Sequence, residues 1–166
     1  MALAAAPVLA ADGVANQLED TYRAGELSLD GFGTASVGQY TINHLSGDRI
    51  RDNTRLGGGL GLNYFFTRNI GLGAEAYTEN NDGAFVDSAS ANLLLRLPLG
   101  QSGVAPYALG GGGYRFDYKA TGFAQFGAGL EYRFCPHLGM FLDARAVLPG
   151  ETKAYGLARL GVRYAF

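Results

Sequence analysis

The closing stretch Ala154-Tyr-Gly-Leu-Ala-Arg-Leu-Gly-Val-Arg-Tyr-Ala-Phe166 alternates without a break. Ala154, Gly156, Ala158, Leu160, Val162, Tyr164 and Phe166 fall on one phase, and Tyr155, Leu157, Arg159, Gly161, Arg163 and Ala165 on the other. A period of two is the signature of a strand with two unlike faces. The first face carries no charge along its whole length, whereas the second carries two arginines. An apolar face of this length suits lipid, and a charged face suits a polar interior.

The same alternation recurs upstream. Over residues 26–38, Leu27, Leu29, Gly31, Gly33, Ala35 and Val37 oppose Glu26, Ser28, Asp30, Phe32, Thr34 and Ser36. Leu56, Gly58, Leu60, Leu62 and Tyr64 then oppose Arg55, Gly57, Gly59, Gly61 and Asn63, and Ile70, Leu72, Ala74 and Ala76 oppose Gly71, Gly73, Glu75 and Tyr77. Ala89 to Leu99 at every second position face away from Ser88, Ser90, Asn92, Leu94 and Arg96. A fifth strand is expected over residues 104–116. A sixth sets Ala124, Phe126, Ala128, Leu130, Tyr132 and Phe134 against Gln125, Glu131 and Arg133, and a seventh sets Leu138, Met140, Leu142 and Ala144 against Phe141, Asp143 and Arg145. With the closing stretch, that makes eight strands.

The connections alternate in length. Residues 41–53, 79 onward, 117–121 and 149–153 read as polar loops on one end, and 66–69, 100–103 and 135–137 as shorter turns on the other. Outer-membrane barrels alternate extracellular loops and periplasmic turns in this way. No charge falls on the apolar phase of any strand core, where a Lys or Arg at mid-bilayer would cost about 2–4 kcal/mol. Tyr64, Tyr107, Tyr132, Phe134, Tyr164 and Phe166 stand near strand ends beside the short turns, which predicts an interfacial aromatic girdle.

On these residues the chain resembles the small eight-stranded outer-membrane barrels of the OmpA and OmpX type. The stretch Ala105-Pro-Tyr-Ala-Leu-Gly-Gly-Gly-Gly113 is similar to the P-Y-x-x-x-G-x-G pattern common in those barrels. The resemblance implies an all-β fold, an eight-stranded antiparallel up-and-down transmembrane β-barrel with both termini periplasmic. It also implies that the final strand, with Leu160, Val162, Tyr164 and terminal Phe166, is read by the barrel-assembly machinery. Full-length OmpA continues into a peptidoglycan-binding domain, so a chain ending at Phe166 is not expected to tether the cell wall.

Composition agrees. The 166 residues leave room for one barrel, glycine is abundant at 26 residues, and charged residues make up 17%. The mean hydropathy of +0.02 hides the apolar faces, because alternation averages them away. No apolar run approaches the roughly 18–20 residues of a helical span. A net charge of −2 gives no reason to expect nucleic acid, and the lone Cys135 can form neither an internal disulfide nor a cysteine-rich metal site. A soluble lipocalin-like barrel would carry the same alternation inside out. Its glycine-rich outer face would be poorly solvated, and the chain has no tryptophan for the lipocalin G-x-W signature.

Residues 1–11 read as the remnant of a secretory signal, ending in an A-x-A-like pattern before Asp12. Residues 12–24 form a periplasmic leader, either a short helix through Val14, Leu18 and Tyr22 or a segment without fixed structure. The barrel itself takes 25–166.

If the polar phase is internal, it collects Glu26, Asp30, Glu75, Glu131 and Asp143 with Arg55, Arg96, Arg133, Arg145, Arg159 and Arg163. Buried charges persist when paired, and arginine's planar fork suits a carboxylate partner. The expected product is an ion-pair network that fills the lumen. It is either a solid plug or, as in the resembled family, a block or gate on a small passage.

Enzyme readings are weaker. His44-Leu-Ser46 has the H-x-S spacing of outer-membrane lipid A deacylases, but its flanks and its early position do not match them. His137 beside Cys135 and Pro136 reads as a solvated turn residue rather than a metal ligand. Gly57 to Gly59 and Gly110 to Gly113 lie inside strands with no following helix or lysine, so they read as close-packing sites rather than phosphate loops. Adhesin-like binding through the loops stays open, without a recognition motif. The expectation is a monomeric or weakly associating barrel among membrane lipids, with a structural or membrane-integrity role, no cofactor, no metal and no catalytic site.

Overall fold

A computed structural model describes residues 21–38, 40–42, 49–51, 54–79, 86–116, 120–150 and 153–166. Among them the strands are β1 (Glu26–Val37), β2 (Tyr40–Ile42), β3 (Arg49–Arg51), β4 (Arg55–Phe65), β5 (Ile70–Thr78), β6 (Ser88–Arg96), β7 (Val104–Arg115), β8 (Thr121–Cys135), β9 (Leu138–Pro149) and β10 (Tyr155–Ala165). Eight of them close into a barrel in the order β1-β10-β9-β8-β7-β6-β5-β4, each antiparallel to its neighbours. The seam joins the first barrel strand to the last, from Ser28 opposite Ala165 to Val37 opposite Gly156. Closure removes the free edges that a sheet would otherwise present.

The period-two pattern maps onto inside and outside along every barrel strand. In β10 Tyr155, Leu157, Arg159, Gly161, Arg163 and Ala165 are buried in the lumen, while the residues between them are exposed. Leu142 and Leu160 keep more than half of their surface open to the surroundings, whereas inward Phe141 keeps 1%. The outside is therefore the apolar face, and the core lies within the ring.

Glycine lets the wall approach itself on the inward side. A Cβ at Gly57 would stand 1.8 Å from the Thr78 carbonyl oxygen, and one at Gly111 would stand 2.0 Å from that of Ala91. No larger residue fits there without moving backbone.

Three expectations change. The region read as a polar loop over 41–53 contains the two-stranded sheet β2–β3, with Tyr40 opposite Arg51 and Ile42 opposite Arg49. Tyr107 is not part of the aromatic girdle: counting from buried Ala105 places it on the inward phase, where it is 5% exposed. The other five girdle residues are exposed, and Tyr64–Phe66, Tyr132–Phe134 and Tyr164–Phe166 each meet edge to face about the short-turn end. Finally, Thr21 and Tyr22 belong to a non-helical segment buried against the barrel, so Tyr22 is neither on a helix nor in a free leader. Residues 12–20 of the leader and the signal-like residues 1–11 lie outside the described residues, as do His44 and Ser46.

Candidate functional site

Inward positions two residues apart on one strand, and directly opposed positions on neighbouring strands, bring the lumen charges together in layers. The layer nearest the short turns is built on Glu26, Asp30, Arg96, Glu131, Arg133 and Arg163. Glu26 Oε1 accepts from Arg96 Nη1 at 2.9 Å and from Arg133 Nη2 at 2.7 Å. Arg133 also donates to Glu131, its inward neighbour on β8. Arg163 bridges two carboxylates: Nη1 donates to Glu131 Oε2 at 2.6 Å, and Nε and Nη2 donate in a fork to both oxygens of Asp30 at 2.7 Å. Asn63 adds a donor to Asp30 at 2.9 Å. Three cations thus balance three anions, and the side chains of Glu26, Arg96, Glu131 and Arg133 have no exposed surface.

The middle layer joins Glu75, Asp143, Arg145 and Arg159. Arg159 donates to Asp143 Oδ2 at 2.6 Å from Nη2 and to Glu75 Oε2 at 2.6 Å from Nη1. Arg145 donates to Glu75 and to Asp143 Oδ1, the latter at 3.1 Å. Neutral groups complete the acceptors: Tyr107 donates its hydroxyl to Asp143 Oδ2 at 2.7 Å, and Ser90 and Gln125 donate to Glu75 Oε1. Two cations again balance two anions.

Aromatic rings separate these layers. The guanidinium carbons of Arg159 and Arg163 stand 5.3 and 5.2 Å from the centre of the Phe141 ring, and Arg159 also lies 4.4 Å from that of Phe32. Stacking on a π face favours the cation on the sides its carboxylates leave open. The lumen is consequently less polar than the strand pattern suggests, since Phe32, Phe65, Tyr77, Leu94, Tyr107, Leu109, Phe123, Phe141, Val147, Tyr155 and Leu157 pack as one cluster inside it.

Arg55 stands elsewhere, half-buried at the long-loop rim opposite Ser36. At that rim a third group forms that strand reading alone did not assemble. Arg115 Nη2 donates to Glu79 Oε2 at 2.6 Å and to the Tyr155 hydroxyl at 3.1 Å, and Tyr155 donates to Glu79 Oε1 at 2.8 Å. Asp87 Oδ2 accepts from the Glu79 backbone amide at 2.7 Å and from the Thr78 hydroxyl at 3.1 Å. Glu79 and Asp87 lie just outside strand ends, where sequence assigns them to loops.

At the opposite mouth Tyr22 reaches in from outside the strands. Its hydroxyl donates to the Gly103 carbonyl at 2.8 Å, and Arg96 and Arg133 stack on its ring at 4.6 and 5.1 Å. Burial, reinforced by the Glu131 carboxylate and opposed by Arg133, holds this phenol well above its ordinary pKa. His137 Nδ1 lies 2.9 Å from the Ala165 carbonyl and its ring stacks on Tyr164, so this exposed turn residue clips the last strand. Leu160, Val162, Tyr164 and Phe166 all point outward, and the Phe166 amide donates to the Leu27 carbonyl at 2.9 Å. Among the described residues no group of His, Cys, Asp and Glu is arranged to hold a metal ion.

A family model described as the outer membrane protein beta-barrel domain matches residues 1–166. The chain belongs to this family. It is an outer-membrane β-barrel, and its closed eight-stranded ring agrees with solved members of that class. The N-terminal β-barrel domain of OprF from Pseudomonas aeruginosa superposes with a TM-score of 0.65 at 18% identity, covering 87% of this chain and 99% of that one. Neisserial surface protein A gives 0.60 at 14% identity over 86% and 98%, and outer membrane protein W of E. coli gives 0.54 at 13% over 87% and 100%. At these identities the likeness is one of fold. No curated protein matches in sequence.

Proposed function

We propose that this outer-membrane barrel is a structural element of the membrane, its interior closed by arginine–carboxylate pairs rather than open as a channel. One observation carries the reading. From Glu26 to Glu75 the lumen charges occupy two balanced layers in which no side chain is more than 8% exposed. Eight strands leave an interior just wide enough for side chains to fill.

In this reading both termini are periplasmic, since β1 begins and β10 ends beside the short turns. The protein works as a monomer among membrane lipids, without nucleic acid, cofactor or catalytic site. Leu160, Val162, Tyr164 and Phe166 serve recognition by the barrel-assembly machinery, and deleting Phe166 lowers the yield of the folded, heat-modifiable form.

The test is conductance of the purified protein in a planar lipid bilayer, with heated and unheated gel samples as the folding control. A folded, inserted barrel without discrete current steps is expected. Regular steps would overturn the closed interior in favour of a gated minor pore. Shared partners give that second reading its footing: Arg163 spans Asp30 and Glu131, and Arg96 lies 3.9 Å from Glu131 besides its bond to Glu26, so pairs could exchange without leaving a charge unpaired.

A further inference from the structure

Tyr22 precedes the first strand, yet its hydroxyl bonds to Gly103, just before β7. In the closed ring β1 and β7 stand four places apart among eight, so they are diametrically opposite. Residues 22–25 together with this ring therefore reach across the short-turn mouth from the β1 side to the β7 side. Beneath it lie Arg96 and Arg133, both stacked on its ring and both without exposed side-chain surface. Tyr22 itself is 3% exposed and Thr21 1%. The next residue fastens the segment on the near side, where Arg23 donates to the Phe166 carbonyl at the end of the strand that seals the barrel. Gly25, in the left-handed region at φ 73°, turns the chain from the mouth into β1, and its amide bonds to the Phe65 carbonyl at 2.7 Å.

We propose that residues 21–25 form a latch on this mouth, with Tyr22 as a stopper seated on the Arg96–Arg133 pair and Arg23 as its catch on Phe166. The latch rests on the reading of the lumen as closed, and it adds a displaceable seal outside the ion pairs. Its seat is an arginine-floored cage that accepts one aromatic phenol from this chain. Withdrawal of the segment exposes the cage and the lower charge layer while the barrel wall stays intact, because no residue of 21–25 belongs to a strand.

The test uses the full chain refolded in lipid vesicles, with Cys135→Ser removing the exposed native thiol and Ala105→Cys placing a reporter at a wholly buried inward position next to the cage. The rate of labelling by a charged methanethiosulfonate reads access to the mouth. With Tyr22 intact labelling is slow; Tyr22→Ala raises it at least about tenfold, since the buried ring no longer opposes local opening, and Tyr22→Phe lies between. Equal rates in the Tyr22 and Tyr22→Ala proteins would overturn the latch. The gel shift controls for folding. Should the reporter variant not fold, Tyr22→Trp supplies the sole tryptophan of the chain. Blue-shifted emission shielded from acrylamide supports a seated ring, and emission quenched like that of a free indole overturns it. Current steps in the bilayer experiment would sink the closed-lumen reading whatever Tyr22→Ala does to labelling, whereas silence in the bilayer with equal labelling rates would sink the latch alone, so the two failures are distinguishable.

Discussion

Replacing Arg163 by alanine tests whether the lumen charges stabilise the barrel as a set. The guanidinium makes three charge-assisted bonds of 2.6–2.7 Å, two to Asp30 and one to Glu131, and is 3% exposed. Its loss turns a layer of three cations and three anions into one with two cations and three anions. Asp30 keeps Asn63 at 2.9 Å, a neutral donor, and Glu131 must share Arg133 with Glu26. Removing one partner of a buried pair costs about 3–5 kcal/mol, against about 0–1 kcal/mol for an exposed pair. Arg163→Ala is therefore expected to lower the unfolding free energy by about 3–5 kcal/mol, measured by urea unfolding in vesicles with circular dichroism and gel shift as parallel readouts. Arg163→Lys keeps the charge and loses the fork, and falls between. In a double-mutant cycle with Asp30→Asn, the two losses should be clearly sub-additive, by at least about 1 kcal/mol, because they remove the same contact. A cost below about 1 kcal/mol for Arg163→Ala, or simple additivity in the cycle, would refute the reasoning.

The neighbouring glycines of β7 offer a paired contrast. Gly111→Ala puts a methyl 2.0 Å from the Ala91 carbonyl and should cost about 1–3 kcal/mol or block folding, whereas Gly110→Ala, with nothing within 4 Å, should leave the unfolding midpoint in place. Leu142→Arg places a charge on the exposed apolar face of β9 and should cost about 2–4 kcal/mol in vesicles if that site lies near the bilayer midplane; a neutral effect would argue against lipid at that face. Tyr107→Phe removes a buried donor from Asp143, so a loss of about 1–3 kcal/mol is expected by the same unfolding assay.

The wall was legible in the sequence because its period is two. Each outward residue of β10 could be named from its position alone, and the alternation of loops and turns fixed the strand count. Partners within the lumen were harder. Arg159 and Asp143 lie 16 residues apart, Arg133 and Glu26 lie 107 apart, and which faces which depends on the stagger of strands around the closed ring. Tyr107 was misread for a different reason: nearness to a strand end suggested the girdle, whereas its phase, shared with buried Ala105 and Leu109, turns it inward. Glu79 and Asp87 sit just outside strand ends, so no periodicity marks them, and Arg115 is the last residue of β7, where its carboxylate partner Glu79 comes from a loop. Tyr22 had a weak signal at best, a single aromatic among polar residues just before the first strand. Its seat is made by two strand residues, Arg96 and Arg133, and one turn residue, Gly103, all distant in sequence.

The seam between β1 and β10 shows what the buried ions contribute besides stability. Sliding one strand by a single residue would turn its outward apolar side chains inward and its arginines toward lipid, and the apolar pattern forbids it. Sliding by two would keep each residue on the face it already occupies, lipid or lumen, so hydrophobicity cannot reject that mispaired ring. Asp30 opposite Arg163 can: after such a slip the carboxylate would meet Gly161 or Ala165 instead. The same holds one strand further on, where Asp143 opposes Arg159. The charges thus act as a parity-blind lock on alignment, selecting one way of closing the ring among those that lipid would accept equally.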